Sequence, residues 1–227
     1  MSMCDIHTHL IPFVDDGASS LEETIKLIKM EIENGVTDII CTPHQREGLL
    51  NKYDLLSSFF NLKETLNDFP INLYLGSEIL YYDNLVNDLK ADKVLTMNNT
   101  KYILLEFPTS VEVDIPSAVY ELVVEGYIPI VAHIERYSYL KYEDYDIIKR
   151  TGGLISINSS SIKGIFTSKR CKYLLKKGIC DFVCSDCHDS INRLVDFKKS
   201  KRFIKSRLGY RKSYERLFEV TPCFLNN

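Results

Sequence analysis

A chain of 227 residues with 45% hydrophobic side chains can bury a sizeable core, and its 28 basic against 31 acidic residues leave a net charge of −3, against a nucleic-acid partner. No apolar run reaches the roughly 18 residues of a membrane span, and Asp5 and His7 stand where a signal peptide would be apolar, so no membrane insertion and a cytoplasmic location are expected. The seven cysteines, at irregular spacings, do not form a secreted disulfide framework and are read as reduced thiols mostly buried in strands.

Short β-like runs alternate with helical ones. Cys4-Asp5-Ile6-His7-Thr8-His9-Leu10 reads as the first strand and its end. Ser20-x-x-Glu23 has the form of a capping box, and Leu21, Ile25, Ile28 and Ile32 recur at helical spacing until Gly35. A strand over 38–42, a helix over 52–68 stopped by Pro70 and a strand over 71–78 follow, whereas 84–95 shows no clear pattern. Next come a strand over 102–106, a helix over 116–125 with Pro in its first turn, a strand over 128–132 and a helix over 142–150. A strand over 154–158, a helix over 169–177 ended by Gly178 and a strand over 181–185 complete the alternation. Two helices, 194–207 and 210–218, broken at Gly209, close the chain. Seven strands alternating with helices imply parallel pairing, and the α/β pattern suggests a TIM-like (β/α) barrel in a single domain spanning 1–227.

In such a barrel chemistry collects at the carboxyl ends of the strands, and the polar residues there are distinctive. His7 and His9, two apart on an extended strand, project from the same face and can close on one ion. The other three histidines, His44, His133 and His188, each follow a run read as a buried strand. Glu78 and Glu106 close apolar strands, where a carboxylate is costly unless it is paired or on a metal, and Asp186 stands two residues before His188. Asp15-Asp16-Gly17 lies in the first loop on the same rim. One histidine at a strand end is usually a hydrogen-bonded rim residue; all five there point to a metal site. Cys184-x-x-Cys187-His188 spells a c-type haem attachment motif, but attachment needs export and His188 belongs to the rim. A zinc knot of Cys180, Cys184 and Cys187 is also set aside, because alternation turns Cys184 and Cys187 to opposite faces.

The stretches Asp5-Ile-His-Thr-His9, Val14-Asp-Asp-Gly17, Thr42-Pro-His44, Gly76-Ser-Glu78, Leu105-Glu-Phe-Pro108, Ala132-His-Ile-Glu-Arg-Tyr137 and Ser185-Asp-Cys-His188, with Arg193 five residues on, resemble the polymerase and histidinol phosphatase (PHP) superfamily. Within it they are most similar to the bacterial capsule-regulating protein tyrosine phosphatases. The resemblance implies a distorted (β/α)7 TIM-like barrel holding three divalent ions, manganese first, with iron, cobalt, magnesium or zinc as alternatives. Carried over by position, the first ion takes His7, His9, Asp186 and a bridging Glu78; the second shares Glu78 and adds Glu106 and His133; the third takes Asp16, His44 and His188. It also assigns Arg136 and Arg193 as phosphate clamps, since a guanidinium pairs two oxygens at once. Ions lower the pKa of bound water, so the nucleophile need not be a side chain. The cysteine-nucleophile mechanism, which needs a Cys-x5-Arg phosphate loop, is not expected.

Three departures stand out: Ile134 where the family has Pro, Cys187 where it has Ala and Asp189 where it has Asn. Residues 193–216 carry ten basic and two acidic side chains, a face suited to an acidic or phosphorylated protein tail or, alternatively, to nucleic acid. The expected function is metal-dependent hydrolysis of phosphotyrosine in proteins, on the tyrosine-rich tail of a bacterial tyrosine kinase that controls capsular or exopolysaccharide synthesis. The alternatives are histidinol-phosphate or another small-phosphomonoester hydrolysis, a PHP-type nuclease, or an inactive binding module.

Overall fold

The computed structural model describes residues 3–47, 51–207 and 217–218. Most of the expected second closing helix, 210–216, lies outside them.

Strand β1 (Cys4–Thr8) pairs in parallel with β2 (Asp38–Cys41), and β2 with β4 (Asn72–Leu75). The two-residue β3 (His44–Gln45) pairs with β5 (Glu78–Leu80), and β6 (Tyr102–Glu106), β7 (Ile128–Val131), β8 (Leu154–Asn158) and β9 (Phe182–Cys184) extend that sheet in sequence order, all in parallel. The six-stranded sheet curls until the chain just beyond its last strand meets β1 of the three-stranded sheet: Thr8 bridges Cys187, and His9 N donates to Cys187 O at 3.0 Å.

The expected strand 71–78 is two strands. It breaks at Gly76-Ser77, beside the break at Thr42-Pro43 that separates β2 from β3. Pro43 has no N–H to donate, and a Cβ at Gly76 would stand 2.7 Å from Met97 Sδ, so the chain turns where Met97 presses against the backbone. Glu78 therefore opens a strand rather than closing one, and pairs in register with His44.

Alternation divides the strand side chains between two cores. Cys4, Ile6, Ile40, Leu104, Ile130, Ala132 and Cys184 pack inside the curl with Met97, whereas Ile39, Cys41, Ile103, Leu105, Val131, Ile155 and Val183 face the helices outside. Both faces are buried, so the strands read as nearly continuous apolar runs.

The covering helices are α1 (Leu21–Glu33), α2 (Lys52–Thr65), α3 (Leu85–Lys90), α4 (Ile115–Val124), α5 (Tyr142–Thr151), α6 (Lys169–Lys177) and α7 (Phe197–Arg207). α2 stops three residues short of the expected end, and α3 occupies the stretch that showed no pattern. Only half of the expected capping box forms. Ser20 Oγ accepts from Glu23 N at 3.2 Å, but Glu23 Oε1 accepts from Ser190 N at 2.6 Å, which ties the start of α1 to the loop carrying Arg193. Among the described residues no helix is long and apolar enough to cross a membrane.

Candidate metal centre

The strand ends gather nine side chains on one rim. His7 on β1 and His9 just beyond it turn to the same side, with their Nε2 atoms 3.2 Å apart and both rings fully buried. Glu78 sits between them and the next strands: Oε2 lies 3.1 Å from His7 Nε2, 3.3 Å from His9 Nε2 and 3.2 Å from His44 Nδ1, and Oε1 accepts from His133 Nε2 at 2.8 Å. Asp186, beyond β9, places Oδ1 3.4 Å from His7 Nε2 and 3.6 Å from His9 Nε2. Ligand atoms about 2.1 Å from one ion, at 90–110° to each other, stand about 3.0–3.4 Å apart, so these spacings suit a shared divalent ion.

Three ligand groups have their donor atoms within 4.8 Å of one another: His7, His9, Glu78 and Asp186; His9, Asp16, His44 and His188; and His44, Glu78 and Glu106. His133 joins through Glu78 and lies 3.8 Å from Glu106 Oε1. All nine expected ligands thus meet, with more sharing than the split implied by resemblance. His9 stands in two groups, and His44 faces both Asp16 at 3.2 Å and Glu78.

The donor set fits divalent cations of the imidazole-and-carboxylate class. His188 Nδ1 donates to the Asp186 carbonyl at 3.1 Å, which leaves the buried Nε2 without a hydrogen-bond partner and turned toward Asp16, 3.5 Å away. His44 Nδ1 is likewise buried and makes no hydrogen bond, although Glu78 Oε2 lies 3.2 Å away. Two of the nine residues also have left-handed backbones, His133 at φ 30° and Asp186 at φ 54°, a cost of order 1–3 kcal/mol each that clusters at functional sites.

Opposite charges at the rim support one another, and like charges compete. Burial opposes ionisation of Glu78, yet the charge of His7 and the hydrogen bonds of His133, His7 and His9 hold its carboxyl well below the usual range. Asp186 is similarly held at about 2, against burial, chiefly by His7. Burial would also lower His9, but Asp15 and then Glu78 raise it to about 10. Burial and the neighbouring charge of His9 push His188 down to about 3.

The supporting roles of several residues went unread in the sequence. Asp15 Oδ2 accepts from His9 Nδ1 at 2.8 Å and from His44 N at 3.0 Å, so one carboxylate orients two candidate ligands. Gly17 makes this loop possible, because a Cβ there would lie 2.3 Å from the His9 carbonyl oxygen. Asn158, at the end of β8, donates from Nδ2 to Asp186 Oδ2 at 2.6 Å. Asp5 accepts from Ser185 N at 3.2 Å and His7 N at 3.3 Å, tying the end of β9 to β1. Behind it lies buried Glu31, and burial raises both carboxyls. Asp15→Asn should weaken divalent-ion affinity about 10- to 100-fold while the protein stays folded, as read by metal titration alongside circular dichroism.

Both expected clamps are at the mouth of the cluster. Arg193 Nη2 lies 2.9 Å from Asp186 Oδ1, and its Nη1 lies 3.7 Å from Asp16 Oδ2. Arg136 Nη1 is 4.0 Å from Asp186 Oδ2, with its side chain 44% exposed. Ile134, fully buried, opens the 3-10 turn Ile134–Arg136, and Arg170 holds the segment that follows by donating to the carbonyls of Tyr137, Ser138 (3.2 Å) and Leu140 (3.1 Å).

Cys187 and Arg193 do in fact have the Cys-x5-Arg spacing that the mechanism set aside above requires. The structure removes the reading on other grounds. Cys187 is fully buried, its Sγ lies 3.8 Å from Glu31 Oε1 on the helix side of the sheet, and burial followed by the charge of Glu31 raises its thiol well above the ordinary value. Cys184, inside the curl, belongs to the other core, as alternation implied. In the basic segment, Lys199 pairs with Asp196 at 2.8 Å and Lys201 donates to Asn34 O at 3.0 Å, while 208–216 lie outside the described residues.

The chain is similar in sequence and fold to known tyrosine phosphatases. Tyrosine-protein phosphatase CpsB of Streptococcus agalactiae is 31% identical over 240 residues, spanning 99% of each chain. Tyrosine-protein phosphatase YwqE of Bacillus subtilis is 29% identical over 236 residues, spanning 99% of this chain and 92% of that one. The crystal structures of YwqE from Bacillus subtilis and CpsB from Streptococcus pneumoniae, described as unique metal-dependent tyrosine phosphatases, include a chain that superposes with a TM-score of 0.84 at 29% identity, covering 94% of this chain and 91% of that one. Residues 3–224 match the family described as capsular polysaccharide synthesis, CpsB/CapC, and the chain belongs to that family.

Proposed function

We propose that this chain is a metal-dependent protein tyrosine phosphatase acting in capsular or exopolysaccharide synthesis. The observation that carries the reading is the convergence of five histidines and four carboxylates on one rim, with two arginines at its mouth. His7, His9, Asp16, His44, Glu78, Glu106, His133, Asp186 and His188 hold the ions, three in number and manganese by preference. The rim crowns a (β/α)7 barrel formed by one domain in the cytoplasm. When bound, divalent ions supply Lewis acidity, which brings the pKa of water down to about 7 and offsets phosphoryl charge.

The chain's own residues supply the rest. Arg193 and Arg136 approach opposite oxygens of Asp186, so a phosphoryl group arriving there exchanges a carboxylate for its own oxygens as their partner. In the transition state charge spreads over three equatorial oxygens, which fixed guanidinium groups bind better than water does. Asp15 and Asn158 hold His9 and Asp186 in place. A tyrosinate leaving group, with a pKa near 10, departs with less protonation than an alkoxide would need. Asp16 is 62% exposed, so the rim is open enough for a polypeptide, such as the tyrosine-rich tail of a bacterial tyrosine kinase. Manganese-loaded protein offered a phosphotyrosine peptide and histidinol phosphate in parallel should favour the peptide in kcat/KM. A preference for histidinol phosphate would replace this reading with a small-molecule phosphatase.

A further inference from the structure

A groove of about 740 Å³ opens directly off the reaction centre. Asn158, Asp186 and Arg193 form its inner end, and it runs outward between two 3-10 turns, Ser159–Ser161 and Gly164–Phe166, and α7, which packs against both. Its charged lining is unequal in a useful way. Asp186 is engaged by Arg193 and Asn158, and Asp196 by Lys199. Lys163 and Arg202, both exposed, have no ion pair or hydrogen bond from their side chains among the described residues. The groove therefore carries two uncommitted positive charges in a recess that shares a wall with the proposed ligand Asp186.

We propose that this groove is a specificity subsite for the substrate polypeptide and takes an Asp or Glu side chain lying within a few residues of the phosphotyrosine. The inference rests on the phosphatase reading above. An extended peptide advances about 3.3 Å per residue, so a chain anchored by its phosphotyrosine at the rim lays neighbouring side chains along the groove. Lys163 and Arg202 are exposed and come from separate elements, an arrangement that meets singly charged carboxylates. A second phosphate dianion would need a convergent guanidinium pair of the kind at the rim. Exposed Ile165 on the same wall gives the peptide an apolar contact.

The test measures kcat/KM of manganese-loaded protein on phosphotyrosine peptides whose flanking positions are Asp/Glu, Asn/Gln, Lys or phosphoserine, and on p-nitrophenyl phosphate, at low and high salt. Wild type should favour the acidic over the amide peptide about five- to tenfold at low salt, less at high salt. Lys163→Ser combined with Arg202→Ser should bring the two peptides to parity and leave p-nitrophenyl phosphate unchanged. Lys163→Glu with Arg202→Glu should turn the preference toward the Lys peptide. Equal rates on the acidic and amide peptides by wild type would overturn the subsite and leave the phosphatase reading standing, as would a phosphoserine peptide clearly outrunning the acidic one. Failure of wild type to hydrolyse any of the peptides would overturn the phosphatase reading and the subsite with it.

Discussion

Glu78→Gln should lower kcat on a phosphotyrosine peptide by about 10³-fold or more, the several kcal/mol of transition-state stabilisation that metal chemistry supplies. The substitution is nearly isosteric, so its effect isolates charge. Among the described residues, Glu78 is the only side chain whose two oxygens lie within 3.3 Å of four of the histidines, His7, His9, His44 and His133. It is almost fully buried, and its carboxyl is held well below the usual range. An amide there loses the charge that balances the ions and turns an N–H donor toward metals. Elemental analysis should show a loss of bound ions that parallels the loss of activity, whereas retained ions with full kcat would remove Glu78 from the site.

Arg136→Ala should behave differently, keeping its ions and losing about 10²-fold in kcat, the cost of one transition-state hydrogen-bond donor. Arg136 is a cation and cannot ligate, and it stands 4.0 Å from Asp186 at the open side of the cluster. Its turn is well fixed, by buried Ile134 at one end and Arg170 at the other, so the loop survives the substitution. His188→Ala, in contrast, removes a proposed ligand whose Nε2 faces Asp16 and should lose an ion, with activity partly regained at high manganese. Full kcat in Arg136→Ala would leave Arg193, already 2.9 Å from Asp186, as the sole clamp.

Much of this was legible in the sequence, for identifiable reasons. The strands are buried on both faces, so apolar runs located them, and an ionisable residue after such a run is conspicuous. Widened to any polar residue at a strand end, the rule would also have reached Asn158, which ends β8 as Glu106 ends β6 and hydrogen-bonds Asp186. The split of 71–78 escaped because Gly76-Ser77 is a short interruption that does not by itself end a strand, and the break depends on Met97 lying against Gly76 some twenty residues on in sequence. Asp15 and Asp16 look alike as neighbours in a loop, where no periodicity tells which faces His9 and which the mouth. Glu23 has the spacing of a capping partner, yet a long-range N–H from Ser190 claims it.

The most direct test of the central claim is a stepwise manganese titration of chelator-treated protein, with bound ions counted by elemental analysis and phosphotyrosine-peptide hydrolysis followed at each step. The expected result is no hydrolysis without ions, a rise in activity that tracks ion binding, and saturation near about three ions per chain. Undiminished hydrolysis by protein holding less than one ion per chain would contradict it.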